Sequence, residues 1–229
     1  MRKIILDTET TGINQIGKHY SGHKIIEIGA VEMINRTLTN NNFHVYLNPN
    51  RSISEESFNI HGISNEFLKY KPTFKEILDK FIKYIYGSKI IIHNAKFDIE
   101  FINYELFLLK RKDKISDYCK IVDSLIIARK IFPGKNNSLN SLCNYYGINI
   151  KKRKKHGALK DAKILANVYL YLTSNQKKLF KNEKTKKKII FNKNTKNKKK
   201  KLKIIFASKK ELELNKKYKN ILNKNLLIK

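Results

Sequence analysis

Lys3-Ile4-Ile5-Leu6-Asp7-Thr8-Glu9-Thr10-Thr11-Gly12 opens the chain with an apolar triplet that runs straight into two acids spaced two apart. Ile4 to Leu6 reads as a short buried strand, with Asp7-Thr8-Glu9 just after it and Thr10-Thr11-Gly12 ending it. In an extended segment, positions two apart face the same way, so Asp7 and Glu9 are able to address one site. Alone, an Asp-x-Glu is ordinarily a pair of solvated acids. What gives it weight is the company it keeps further along the chain.

Asp98 follows the apolar strand Lys89 to His93, in His93-Asn94-Ala95-Lys96-Phe97-Asp98, at the start of a helix. His156 and Asp161 frame the start of the last helix, in His156-Gly157-Ala158-Leu159-Lys160-Asp161-Ala162. Each has a plain alternative. A carboxylate in a first helical turn is stabilised by the helix dipole without any chemistry, and His156 follows the basic run Lys151 to Lys155 as a loop residue would. Together, four acids and one His at element boundaries suit a phosphodiesterase. Hard divalent cations take oxygen ligands, and phosphodiester hydrolysis often uses two of them clamped by carboxylates. A His, with an ordinary pKa of about 6.5, is the natural group to take a proton from the attacking water.

Around these motifs, strand and helix signals alternate over the first 173 residues. Ile25 to Ile34 and Phe43 to Leu47 read as strands, with Asn40-Asn41-Asn42 suiting the turn between them. Phe74, Ile77, Leu78, Phe81, Ile82 and Ile85 recur at helical spacing between Thr73 and Tyr86. Ile99 to Leu109 reads as a helix and Ile121-Val122 as a short strand. Helices follow near Leu125 to Phe132, Leu139 to Tyr146 and Ala158 to Leu172. Three early strands followed by alternating helices and strands predict an α/β protein, a mixed five-stranded sheet flanked by helices.

The chain of 229 residues carries a net charge of +30, which attracts polyanions, nucleic acid first among them; the excess is nearly all Lys and also follows the Asn- and Ile-rich composition of the chain. Residues 181–229 hold 19 Lys against 3 Glu, a net +16, and 181–200 is almost wholly Lys, Asn and Thr around Ile189-Ile190-Phe191. That stretch reads as a flexible basic linker. Apolar pattern returns at Leu202, Ile204, Ile205 and Phe206 and continues to Leu227, a segment that needs a partner to bury it. Cys119 and Cys143 lie far apart without zinc or disulfide spacing. Ile4-Ile5-Leu6 is too short for a signal peptide, and no run is long enough for a membrane span, so a cytoplasmic protein with no membrane partner is expected.

The three motifs resemble those of the DEDD-type exonucleases of the ribonuclease-H-like fold, in the subgroup whose third motif carries His five residues before Asp. The likeness narrows to the proofreading exonucleases of bacterial replicative DNA polymerases through Asn14 to Gly17, Gly22 to Glu32, Asn41 to Leu47, Asp123-Ser124-Leu125 and Phe132 to Lys135. It implies a 3′→5′ exonuclease acting on the single-stranded 3′ end of a primer. Two divalent ions, Mg2+ or Mn2+, would be held by Asp7, Glu9, Asp98 and Asp161. His156 would be the general base, and Glu56 and His61 would meet the terminal nucleotide beside Asp7, Glu9 and Asp161. His61 also reads as a helix-end residue, and His19, His23 and His44 as structural or surface residues. The implied organisation is an exonuclease domain over 1–173, a linker over 174–200 and a tail over 201–229 that docks on the polymerase (alpha) subunit; a small accessory subunit is a further candidate partner. Gln176-Lys177-Lys178-Leu179-Phe180 resembles the short peptides that bind the bacterial sliding clamp, through Gln176, Leu179 and Phe180; the alternative is that Leu179 and Phe180 continue the apolar face of the preceding helix. A stand-alone exoribonuclease or oligoribonuclease keeps the same chemistry but has no need of a tether with a docking segment. A non-catalytic scaffold has no need of five intact catalytic positions.

Overall fold

Five strands make one sheet in the order β3-β2-β1-β4-β5. They are β1 (Arg2–Thr10), β2 (Ile25–Ile34), β3 (Thr37–Tyr46), β4 (Lys89–Ile92) and β5 (Lys120–Asp123). The computed structural model describes residues 1–150, 155–181 and 208–216, without the side chains of 175–181. Strands β1, β2 and β3 are antiparallel neighbours, whereas β4 and β5 run parallel to β1. Among the described residues the first compact unit also holds seven α-helices: α1 (Glu55–His61), α2 (Asn65–Leu68), α3 (Phe74–Ile85), α4 (Ala95–Leu108), α5 (Ser124–Ile131), α6 (Leu139–Tyr146) and α7 (Ala158–Lys181). The mixed five-stranded sheet expected from the sequence is thus observed.

The period of two along β1 divides the core. Ile4 and Leu6 join the α3 and α4 side chains Phe81, Ile85, Phe101 and Ile102 on one face. Ile5 joins Val31, Met33 and Ile91 beneath Ala162, Leu165 and Ala166 of α7 on the other. Helix α3 begins at a capping box in which the Thr73 amide and hydroxyl donate to Glu76 Oε2 at 2.6 and 2.7 Å. Its residues Phe74, Ile77, Leu78, Phe81 and Ile85 are all buried, as their spacing predicts.

Expected boundaries shift at β3 and at α7. The turn between β2 and β3 is Asn35-Arg36, both left-handed at φ 50° and 71°, the geometry of a tight two-residue hairpin. Asn40-Asn41-Asn42 therefore lies inside β3, where an exposed edge strand tolerates polar side chains. The last helix also runs on to Lys181, because nothing between Thr173 and Lys181 is a Gly or Pro that would stop it. Gln176 to Phe180, expected just past the helix, is helical; the side chains of Gln176, Leu179 and Phe180 lie outside the described residues. Linker residues 182–200 and tail residues 201–207 and 217–229 lie outside them too. In the second compact unit, residues 186–229, a helix over 209–216 starts at Ser208, whose amide and hydroxyl donate to Glu211 Oε2. Among the described residues no helix is long and apolar enough to cross a membrane.

Candidate active site

Strand β1 does not stop at Leu6. It pairs with β4 only through Ile5 opposite Ile91, but with β2 as far as Thr10 opposite Ile25. Asp7 and Glu9 are therefore strand residues, and the hairpin with β2, invisible from local composition, is what extends the strand. Beyond Ile5, the edge of β1 that faces β4 carries no neighbouring strand among the described residues. Asp7 and Glu9 share the face of Ile5 under α7, while Thr8 points to the opposite face and donates from Oγ1 to Asp98 Oδ1 at 2.7 Å.

Asp98 arrives from the start of α4, at the carboxyl end of β4. Asn94 turns the chain there in the left-handed region, φ 66°. One carboxylate secures that turn: Asp123 accepts from the amides of Asn94 at 3.2 Å, Ala95 at 3.1 Å and Leu125 at 2.8 Å. It thereby caps α5 and α4 together. The sequence signal for this role is an Asp at a strand end just before a helix, which the motif likeness at Asp123-Ser124-Leu125 does not by itself reveal. His93 bridges Ser124 Oγ at 3.0 Å and the Asn137 carbonyl at 2.9 Å, and its burial lowers its pKa. Asp98 is buried, and that burial, aided by the charge of Asp123, pushes its carboxyl up to about 7 against the opposing pull of the Thr8 hydrogen bond.

The third motif sits on the first turn of α7. The His156 amide donates to the Ile60 carbonyl at 3.1 Å, tying this loop to α1, and the Asp161 amide donates to the Gly157 carbonyl at 2.9 Å. His156 Nδ1 lies 3.3 Å from Asp161 Oδ2, with the imidazole 44% exposed and the carboxylate 4%. Helix α7 reaches this depth because Gly29 stands beneath it. A Cβ there would lie 2.1 Å from the Leu159 nitrogen and 2.2 Å from the Ala158 carbonyl carbon. Gly29 is the cross-strand partner of Asp7, so the gap left by one missing side chain brings the third motif down onto the first.

The result is a cavity of about 210 Å3 lined by Asp7, Glu9, Asp98, Asp161, His156 and His93, among others. Ligand atoms of Glu9, His156 and Asp161 all lie within 4.8 Å of one another, a grouping able to hold a metal ion. No Lys or Arg is among the described residues that line the cavity, in a chain of net charge +30. His61 ends α1 and is buried. Its Nδ1 accepts from the Ile63 amide at 3.0 Å, so a neutral ring carries its proton on Nε2. Its pKa is lowered by burial above all, then by the charges of Lys155 and His156. It lines an adjoining cavity of about 470 Å3 that meets the first at His156. Glu56 is exposed on the first turn of the same helix and lines neither cavity.

A strand-end cluster of carboxylates on a sheet of this order defines a nuclease of the ribonuclease-H-like kind, and the chain belongs to the exonuclease family, whose RNase T model matches residues 4–169. Among solved structures it resembles Exonuclease X in complex with 5′ overhanging duplex DNA, at 23% identity and a TM-score of 0.59 over 76% of this chain and 93% of that one. It also resembles the nuclease domain of 3′hExo, a DEDDh family member bound to rAMP, at 20% identity and a TM-score of 0.62 over 76% and 92%. These likenesses carry the fold alone. Within the family, the chain belongs with the epsilon subunits of DNA polymerase III. It is 61% identical to that of Escherichia coli (strain K12) over 176 residues, covering 76% of this chain and 72% of the relative. It is 52% identical to that of Buchnera aphidicola subsp. Baizongia pistaciae over 221 residues, covering 95% and 90%. The chain is a 3′→5′ proofreading exonuclease, and the exoribonuclease alternative is not favoured.

Proposed function

We propose that Asp7, Glu9, Asp98 and Asp161 hold two divalent ions, Mg2+ or Mn2+, and that His156 is the general base for hydrolysis of the 3′-terminal phosphodiester. The observation that carries this reading is the collection of four carboxylates, Asp98 and Asp161 buried, in one cavity, with ligand atoms of Glu9, His156 and Asp161 within 4.8 Å of one another. Carboxylates gathered this closely offer the oxygen ligands that hard divalent cations take. Asp7, Glu9 and Asp161 would hold the ion nearest the attacking water, with Asp7 shared by a second ion and Asp98 completing its ligands. Bound there, the ions supply neutralisation of the phosphate charge and a water of lowered pKa.

The protein's own part is to take a proton and to hold the strand end. With Nδ1 facing Asp161, His156 would present Nε2 to the water and take its proton there. Neutral, buried His61 would pack against the terminal sugar or base, and Glu56 would engage the 3′ end. A frayed, mispaired terminus reaches such a site more cheaply than a paired one. The division into an exonuclease domain over 1–173, a linker over 174–200 and a docking tail over 201–229 belongs to the same reading. So do the polymerase alpha subunit and a small accessory subunit as partners, a clamp contact through Gln176, Leu179 and Phe180, and a cytoplasmic location.

Hydrolysis of a primer with a mispaired 3′ end tests the site. Asp7→Ala and Asp161→Ala should each abolish cleavage with the circular dichroism spectrum unchanged, and EDTA should do the same to the parent. Cleavage that persists in EDTA overturns the metal reading.

A further inference from the structure

Glu27 is 2% exposed, beneath the first turn of α7, and it stands directly opposite Glu9 across the β1–β2 pair. Like charges facing each other on one side of a sheet repel, so each needs its own compensation. Those of Glu27 are visible. Its Oε2 accepts from the Ala158 amide at 3.1 Å, the first residue of α7, and its Oε1 lies 2.7 Å from His44 Nε2. The carboxylate therefore caps α7 from 131 residues away in sequence. It sits at the positive end of the helix dipole, while His44 on β3 pins it from the other side.

We infer that Glu27 is a positioning residue for hydrolysis: through the Ala158 amide it sets the height and direction of the α7 first turn, and with it the places of His156 and Asp161 relative to Glu9. This rests on the reading of those residues as base and ligands. The row order is what carries it. Along this face, Ile5, Asp7 and Glu9 of β1 lie opposite Val31, Gly29 and Glu27 of β2. Gly29 lets the helix backbone come down, and Glu27 stops and orients its end. The two acids of the last pair thus divide their work: Glu9 turns to the cavity shared with His156 and Asp161, and Glu27 turns to the helix that carries them.

The test uses the full chain with Glu27→Ala, Glu27→Gln and His44→Ala, scored for kcat and KM on the mispaired primer and for Mn2+ binding without DNA by electron paramagnetic resonance. Loss of the cap should lower kcat at least tenfold in Glu27→Ala with KM within about twofold, and should weaken Mn2+ binding, because a small misplacement of reacting groups is expensive in rate. Glu27→Gln keeps a carbonyl oxygen for the Ala158 amide and should restore most of the rate, which distinguishes the hydrogen bond from the charge. His44→Ala, which removes only the second anchor, should show a smaller loss of the same kind, and it carries the test should Glu27→Ala fail to fold. A Glu27→Ala enzyme with kcat and Mn2+ binding of the parent overturns the inference, as does a kcat loss that vanishes once corrected for the folded fraction. If Asp161→Ala and His156→Ala also remain active, it is the site reading that has failed, not this inference alone.

Discussion

Gly29→Ala adds one methyl group at the point where the sheet and α7 touch. Its carbon would lie 2.1 Å from the Leu159 nitrogen, 2.2 Å from the Ala158 carbonyl carbon and 2.4 Å from Leu159 Cα. Ordinary contact between such atoms begins near ~3.5 Å, so the first turn of α7 has to retreat by more than roughly 1 Å. The obstacle is backbone on both sides, so no side-chain rotation relieves it. Overpacking of this kind costs about 1–3 kcal/mol, which in a domain of this size lowers the melting temperature by roughly 2–4 °C per kcal/mol. The effect on chemistry should be larger. A shift of ~1 Å in the turn carrying His156 and Asp161 is enough for a loss on the order of a hundredfold in kcat, and it stretches the 3.1 Å Glu27–Ala158 hydrogen bond past useful length. The assay is single-turnover hydrolysis of a mispaired primer, run beside thermal unfolding. A variant that folds and cleaves within about twofold of the parent would refute the argument that Gly29 seats the third motif.

His156→Ala should slow cleavage about a hundredfold or more while single-stranded DNA affinity changes little; a variant as fast as the parent, measured by quench flow, returns His156 to the loop. For Asp98, the folded pKa of about 7 stands above the ordinary value of about 3.9. Its stabilisation of the metal-free fold is thus full below that ordinary value and is lost as pH rises through about 7. Asp98→Asn removes the titration, so its melting temperature should gain on that of the parent between about pH 4 and pH 7 in EDTA. A difference that stays flat contradicts the assignment. A chain ending at Lys181 should keep its exonuclease activity and lose polymerase binding, which co-purification reads directly. Leu179→Ala with Phe180→Ala should weaken clamp pull-down without slowing hydrolysis of a free primer; unchanged pull-down removes the clamp contact.

Much of the molecule was legible from local pattern. Apolar residues at helical spacing marked α3, and the buried apolar run Lys89 to His93 marked β4, because these elements bury one stripe or both faces of a short segment. The acids were legible as a set because the neighbours of each spell a recognisable motif, although Asp7 and Glu9 lie within β1 and not after it. Helix α1 was legible only at its end, in His61, and α2 not at all, because they are only seven and four residues long and are held by Ser54 and Ser64 caps rather than by a long apolar stripe.

What the chain's order of residues determined by itself was therefore the alternation of elements, the class of sheet and the acids and His that carry the chemistry. The tertiary structure decided how they meet. It extends β1 to include Asp7 and Glu9 because β2 pairs beyond them, and it turns the Asn triplet into an edge strand because the hairpin closes at Asn35-Arg36. It spends Asp123 on two helix starts and Glu27 on a third, and it lets Gly29 admit α7. The physical reason is one of range. Propensity and periodicity act over a few residues, whereas the hydrogen bonds from Thr8 to Asp98 and from Ala158 to Glu27 join positions 90 and 131 apart, and only the packed sheet brings those partners within reach.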